Sequence, residues 1–461
     1  MSTISAVQGV HRPDPARSRE HGEEERRRAE ERMTSWERVR TEPAHRRGTL
    51  EILRERRAAR RDLVQFDDVD NDGADTLVVA GRFLARAEDL AGGRARRAIA
   101  DMGLVATRVG GLGEARGRGG ALVQLDVRRL GDVAGRGGSR ALHLALLGEG
   151  LPVRPAYVTP LGMIRKADGG PEISRRGWQR PAGGTVRGPR VAVIDTGVSG
   201  EQRADGWLDG LARPDNLDLL NVLPDVDDPY LDLGAGHGTF VTGVLQQVAP
   251  DADVRVYQAL DTDGLAAETT VAGAIVAAVA DGADILNLSF GTDALEQEGP
   301  FSLREAIEDA IAINPNVLMV CAAGNCGDTR PVWPAAFAAE FSQVVSVAAL
   351  KPDGQGGAAP AEWSSHGDTV TCSTFGQGVV STYVVGEESP LLDRDPDTFG
   401  ENSWATWSGT SFAAPQVAGV VVRAMQDDNG LTPRRAFDDH VMAVATDIGG
   451  GYGHAVEILA V

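Results

Sequence analysis

Val191-Ala192-Val193-Ile194-Asp195-Thr196-Gly197 reads as a buried strand that ends in a carboxylate and a turn glycine. Open α/β sheets present functional groups at such strand ends, and an Asp there can equally cap the next element. Gly236-His237-Gly238-Thr239 is followed by Phe240, Val241, Val244 and Leu245 at helical spacing, which predicts His237 at a helix N-terminus. An imidazole there suits proton transfer near neutrality, and it suits a cap or a packed core residue as well. In Ser408-Gly409-Thr410-Ser411-Phe412-Ala413-Ala414-Pro415, a helix opens beside a hydroxyl. Its free N–H groups and positive dipole end favour negative charge developing at Ser411 during acyl transfer. Small Ala413, Ala414 and Gly419 let the helix approach a sheet, and Pro415 falls in the first turn, where its missing N–H matters little.

The stretch Ser408 to Val420 resembles the nucleophile segment of subtilisin-like serine proteases, the subtilase family, and the chain order Asp, His, Ser is that family's order. The resemblance implies a triad of Asp195, His237 and Ser411 that hydrolyses peptide bonds of protein or peptide substrates through an acyl-enzyme. Val317 to Asn325 resembles the strand leading to the oxyanion-hole asparagine, which implies Asn325 as a donor beside the Ser411 N–H. Asn287-Leu288-Ser289-Phe290-Gly291 resembles the segment lining the S1 pocket, and Leu260 to Gly264 the opposite wall. Substrate contacts are therefore expected at Ser289, Phe290, Gly291 and Gly264. Trp333-Pro334-Ala335, Val345 to Ala348, Trp363 to Gly367 and Gly451 to Val461 extend the resemblance over about residues 186 to 461.

There are departures: Gln416 stands where many relatives carry His, Cys326 where Glu is frequent, and Ser373 to Gly376 where an Ala-Pro-Gly turn is usual. None removes a catalytic group. Cys326 bears on specificity, with a buried, inert thiol as the plainer reading. The alternative is a catalytically silent subtilase-fold binding or regulatory protein, which would need a disabled site. The chemistry requires no redox or nucleotide cofactor. Structural calcium, bound by several relatives, would suit the acidic loop Asp225 to Asp232, as would simple solvation.

Positioning these groups requires buried strands alternating with helices. Val191 to Ile194, Val254 to Tyr257, Ile285 to Leu288, Val317 to Cys321 and Val344 to Val347 are short β-branched runs of that kind. They predict an α/β fold with a mostly parallel sheet covered by helices on both faces, subtilisin-like by the resemblance, over residues 190–461. Residues 63–160 predict strand Thr76 to Val79, a helix near Arg94 to Met102, strands Leu104 to Val109 and Ala121 to Val127, a helix within Arg129 to Leu147 and strand Val153 to Val158. That β-α-β-β-α-β order predicts a smaller N-terminal α+β ferredoxin-like domain. By resemblance it is a propeptide: an intramolecular chaperone and inhibitor, partner to the rest of the chain. Gly- and Pro-rich residues 161–189 read as a linker. Residues 1–62, with runs such as Glu23-Glu24-Glu25-Arg26-Arg27-Arg28, read as a charged helical or disordered arm. Asp67 to Asp75 begins like an EF-hand loop but has Val79 where a bidentate Glu is needed, so a polar turn before a strand is expected.

Charge is divided: residues 1–190 carry 36 Arg plus Lys against 26 Asp plus Glu, and residues 191–461 carry 10 against 40. Opposite potentials on one chain favour docking of one half on the other before nucleic acid is considered. Interspersed glutamates and the absence of a recognition motif argue against nucleic acid. No run of eighteen apolar residues and no secretory leader are visible, and three cysteines are too few for a disulfide framework. A cytoplasmic protein without a membrane partner is expected.

Overall fold

The structure, a computed structural model, describes residues 43 to 459 apart from 59, 61, 72–73, 129–136, 162–169, 182–187, 212–215, 224–228 and 394–395. Helix α1 (Pro43–Ala58) opens it, followed by β1 (Phe66–Asn71), β2 (Ala74–Arg86), α2 (Gly93–Asp101), β3 (Leu104–Arg108), β4 (Leu122–Val127), α3 (Gly138–Gly148), β5 (Arg154–Pro160) and β6 (Glu172–Ile173). Then come β7 (Arg190–Asp195), α4 (His237–Val248), β8 (Asp253–Gln258), β9 (Leu265–Ala267), α5 (Glu268–Ala280), β10 (Ile285–Leu288), α6 (Phe301–Ile313), β11 (Leu318–Ala322), β12 (Val344–Pro352) and α7 (Thr410–Asp427).

Strands β8, β7, β10, β11 and β12 pair in parallel, in that order. Their residues alternate between two cores. Val191 and Val193 pack with α4 and α7, while Ala192 and Ile194 pack with α5 and α6. Burial on both faces is why these strands read as continuous apolar runs. Every strand of the set therefore ends at one edge, where Asp195 stands.

The first sheet runs β3-β4-β2-β5-β9, with β1 on β2. Strand β2 is much longer than the expected Thr76 to Val79, and β1 forms a hairpin with it from Phe66↔Val79 to Asn71↔Ala74. The expected polar turn is thus mostly strand. Asp67 accepts from the N–H groups of Gly137 and Ser139, and Asp68 pairs with Arg54 at 2.7 Å. Asp72 and Gly73 lie outside the described residues, as do residues 1–42 of the charged arm. The arm's last part is helix α1, solvated on one side at Glu51 and Glu55 and buried on the other along a stripe of Leu50, Leu53 and Arg57. In the stretch read as a linker, Glu172 and Ile173 pair with Thr406 and Ala405, and Trp178 packs 4.5 Å from Trp404. A short strand and one tryptophan do this anchoring, which composition does not reveal.

The first sheet takes its last strand, β9, from the later part of the chain: Val158↔Ala267, Thr159↔Ala266 and Pro160↔Leu265 pair β5 with it antiparallel. Arg116, from the glycine-rich loop between β3 and β4, pairs with Glu305, Glu308 and Asp309 of α6. Glu268 lies under the junction and accepts from Tyr157 N at 2.9 Å, Ser302 N at 3.1 Å and Ser302 Oγ at 2.5 Å.

Burial pushes Glu268 up to about 7 from an ordinary 4.5. A group raised in the docked state contributes fully below its ordinary value and loses that contribution as pH rises through about 7. Amide exchange of residues 154–160, corrected for intrinsic rates, should therefore show protection falling between about pH 4.5 and 7, with Glu268→Gln flattening the slope.

Candidate active site

Strand β7 delivers Asp195 fully buried at the sheet edge, and the turn that follows folds Thr196 N back onto Asp195 Oδ1 at 2.8 Å. The same oxygen faces His237 Nδ1 at 2.7 Å. Gly236, in the left-handed region at φ 77°, starts helix α4 with His237 as its first residue. Gly238 in the next position fits because it has no side chain: a Cβ there would strike the Gly197 carbonyl and lie 3.1 Å from Gly197 N and 3.2 Å from Asp195 Cβ. An imidazole whose Nδ1 faces a carboxylate presents Nε2 as the proton acceptor.

Asp218 ties the two turns together. Its carboxylate accepts from Thr196 Oγ1 at 2.9 Å, Gly236 N at 2.8 Å and Leu220 N at 3.0 Å, and burial pushes it up to about 6. Sequence reasoning missed this residue, since one Asp in a polar loop carries no signal of its own. The His237 ring is held from the side by Trp407, edge-on at 5.4 Å, and by Phe412 at 5.3 Å.

Ser411 lies in the first turn of α7, next to Phe412, so the helix that carries the hydroxyl also packs the imidazole. Its Oγ donates to Ser289 O at 3.1 Å, while Ser289 Oγ accepts from Asn287 Nδ2 at 2.9 Å and donates to Ser411 O at 2.8 Å. Asn325 follows β11 and comes to the same helix start. Its Oδ1 accepts from Thr410 N at 3.0 Å and Thr410 Oγ1 at 2.9 Å, leaving the amide N–H groups as donors. Asp195 and His237 are thus brought together directly, and Asn325, Ser289 and Ser411 through the opening of α7.

The expected substrate residues separate by role. Gly264 and Gly291 flank a segment of the chain itself: Leu161 N donates to Gly264 O at 2.8 Å, and Gly291 N to Pro160 O at 3.2 Å. Thr292 Oγ1 adds a bond to Val158 O at 2.8 Å. Phe290 is buried in the apolar core, and Ser289 is buried behind Ser411. Cys326 is half-buried and donates its N–H to Ser365 Oγ at 3.2 Å, and no disulfide joins the three cysteines.

Fold and site together define a parallel α/β domain with a carboxylate-held histidine and a serine at a helix start. A profile of the subtilase family matches residues 186–454, and the chain belongs to that family. It is 31% identical to the thermostable alkaline protease of Halalkalibacterium halodurans over 50% of this chain and 55% of that one, so it spans about half of that relative. It is 28% identical to thermitase of Thermoactinomyces vulgaris over 55% of this chain and 80% of that one. The solved structure of fervidolysin from Fervidobacterium pennivorans, a keratinolytic enzyme related to subtilisin, aligns at TM-score 0.50 and 21% identity over 86% of this chain and 62% of that one, a likeness of fold.

Gly238→Ala would force α4 away from the turn after β7 and part His237 from Asp195. A thermal melt should show a loss on the order of 1–3 kcal/mol, the range for overpacking at a close contact, whereas Gly273→Ala, with nothing within 4 Å, should not.

Proposed function

We propose that the chain is a serine endopeptidase in which Asp195, His237 and Ser411 form the catalytic triad and Asn325 serves the oxyanion. Ser411 Oγ rotates from Ser289 O toward His237 Nε2, gives up its proton there and attacks the scissile carbonyl. Asn325 and the Ser411 N–H stabilise the tetrahedral oxygen. His237 passes the proton to the leaving amine, Asp195 stabilises the imidazolium throughout, and water then releases the acyl group by the same steps reversed. What carries this assignment is the 2.7 Å contact between His237 and Asp195, set beside a serine on the helix that packs the ring. Relatives described as proteases support it, and the catalytically silent alternative gains nothing from four intact positions.

The reaction needs no redox or nucleotide cofactor. Asp232, from the loop considered for calcium, pairs with Arg56, and residues 224–228 of that loop lie outside the described residues. Among the described residues no helix is long and apolar enough to cross a membrane. A cytoplasmic location accords with a similar intracellular serine protease of Paenibacillus polymyxa, 27% identical over 63% of this chain and 84% of that one, although an extracellular protease of Bacillus subtilis, 29% identical over 56% and 35%, is similar too.

Residues 63–160 are proposed to be a ferredoxin-like chaperone and inhibitor that docks on residues 190–461. Strand order β3-β4-β2-β5 supports the ferredoxin-like reading, and residues 158–161 supply the inhibitory contact. They lie as an extended strand between Gly264 to Ala267 on one side and Gly291 and Thr292 on the other, as a bound peptide would. Protein or peptide substrates are expected to take their place.

Intact mass of the purified wild type should show cleavage between Leu161 and Arg190, absent in Ser411→Ala; an uncleaved active wild type would refute the propeptide role. Asn325→Ala should lower kcat by about 10²–10³ with KM little changed, as loss of an oxyanion donor does. Steady-state kinetics on a denatured protein substrate would read this, and an unchanged kcat would remove Asn325 from the site.

A further inference from the structure

Helix α1 carries two guanidinium groups into three carboxylates that border the strand at residues 158–161. Arg57 Nη1 meets Asp263 Oδ2 at 2.8 Å and Nη2 meets Asp261 Oδ2 at 2.7 Å, while Arg56 Nη2 meets Asp232 Oδ1 at 2.5 Å. The side chains of Arg57, Asp232 and Asp263 are wholly buried. Asp263 Oδ1 is buried with no hydrogen-bond partner and faces Arg56 Nη1 at 4.0 Å, so the nest has acceptor capacity to spare. Burial pushes Asp232 and Asp263 upward even with both arginines present.

Two of the carboxylates are carried close in the chain to glycines that face the Leu161 side chain. Asp263 directly precedes Gly264, where a Cβ would fall 2.9 Å from Leu161 Cδ1, and Asp232 stands two residues before Gly234, where a Cβ would fall equally close. If α1 leaves with the strand it accompanies, these carboxylates lose their guanidinium partners and are left as a cluster of three negative charges, which attracts another cation. Among the described residues no group of three His, Cys, Asp or Glu is arranged to hold a metal ion. A planar guanidinium can bridge two carboxylates at once, as Arg57 does.

We propose that Asp232, Asp261 and Asp263 form a guanidinium-binding subsite, filled by Arg56 and Arg57 in the intact chain and taken by a substrate arginine at the position of Leu161 once α1 departs. This rests on the reading of the cleft as a substrate channel. Two fluorogenic peptides with the sequence of residues 156–164, carrying arginine or norleucine in place of Leu161, test it on the processed enzyme. The kcat/KM ratio should favour arginine by about tenfold and fall to about one in Asp261→Asn/Asp263→Asn. Equal rates, a ratio that survives in the variant, or a preference abolished by EDTA would overturn the subsite.

A second measurement does not need activity. In the full chain carrying Ser411→Ala and Arg57→Ala, ethylguanidinium should raise Tm where ethylammonium does not, and Asp263→Asn should erase the difference. If Arg57→Ala does not fold, Arg56→Ala is melted instead. No selective rise overturns the subsite, whereas failure to cut either peptide alongside a selective rise counts against the protease reading alone.

Discussion

The end of β7 and the start of α4 touch across a gap that leaves no room for a methyl group. Gly238 lies against the Gly197 carbonyl, and this approach lets the Asp195 carboxylate reach the His237 ring at 2.7 Å. Both partners are buried, so water contributes little to their solvation and the protein must supply their contacts. Asp218 does so for the backbone, binding one turn through Thr196 and the other through Gly236. Trp407 and Phe412 then close the side of the imidazole, which turns helix α7 into part of the same unit.

The site therefore inherits its rigidity from two packed layers. Alternate residues of β7 are buried in opposite cores, so a slip by one position would put each side chain into a layer packed around its neighbour. Helix α7, buried along most of its length, is fixed by the same packing. The Ser289 and Ser411 backbone and hydroxyl groups bond reciprocally, and Thr410 holds Asn325. These bonds join the ends of two strands, β10 and β11, to one helix start.

The N-terminal part is joined by a different kind of physics. Strand β5 extends the first sheet onto β9 through backbone pairing, which is indifferent to side-chain identity. Charge pairs then bring specificity: Arg116 on the acidic face of α6, and Arg56 and Arg57 among Asp232, Asp261 and Asp263. The basic and acidic halves of the chain thus meet in pairs of named residues rather than as diffuse potentials.

Several of these features are visible in the amino-acid order alone. Buried strands announce themselves as short apolar runs, and His237 and Ser411 are marked by glycines and by the helical spacing that follows. Local physics suffices there, because strand burial and helix starts depend on near neighbours. Only the tertiary structure decided the rest. Asp218 joins two turns, α1 is buried by its Leu50, Leu53 and Arg57 stripe, Phe290 turns into the core, and Trp178 fastens an apparent linker. Each depends on a partner distant in the chain, and a sequence states which groups exist without stating which distant pairs packing will enclose.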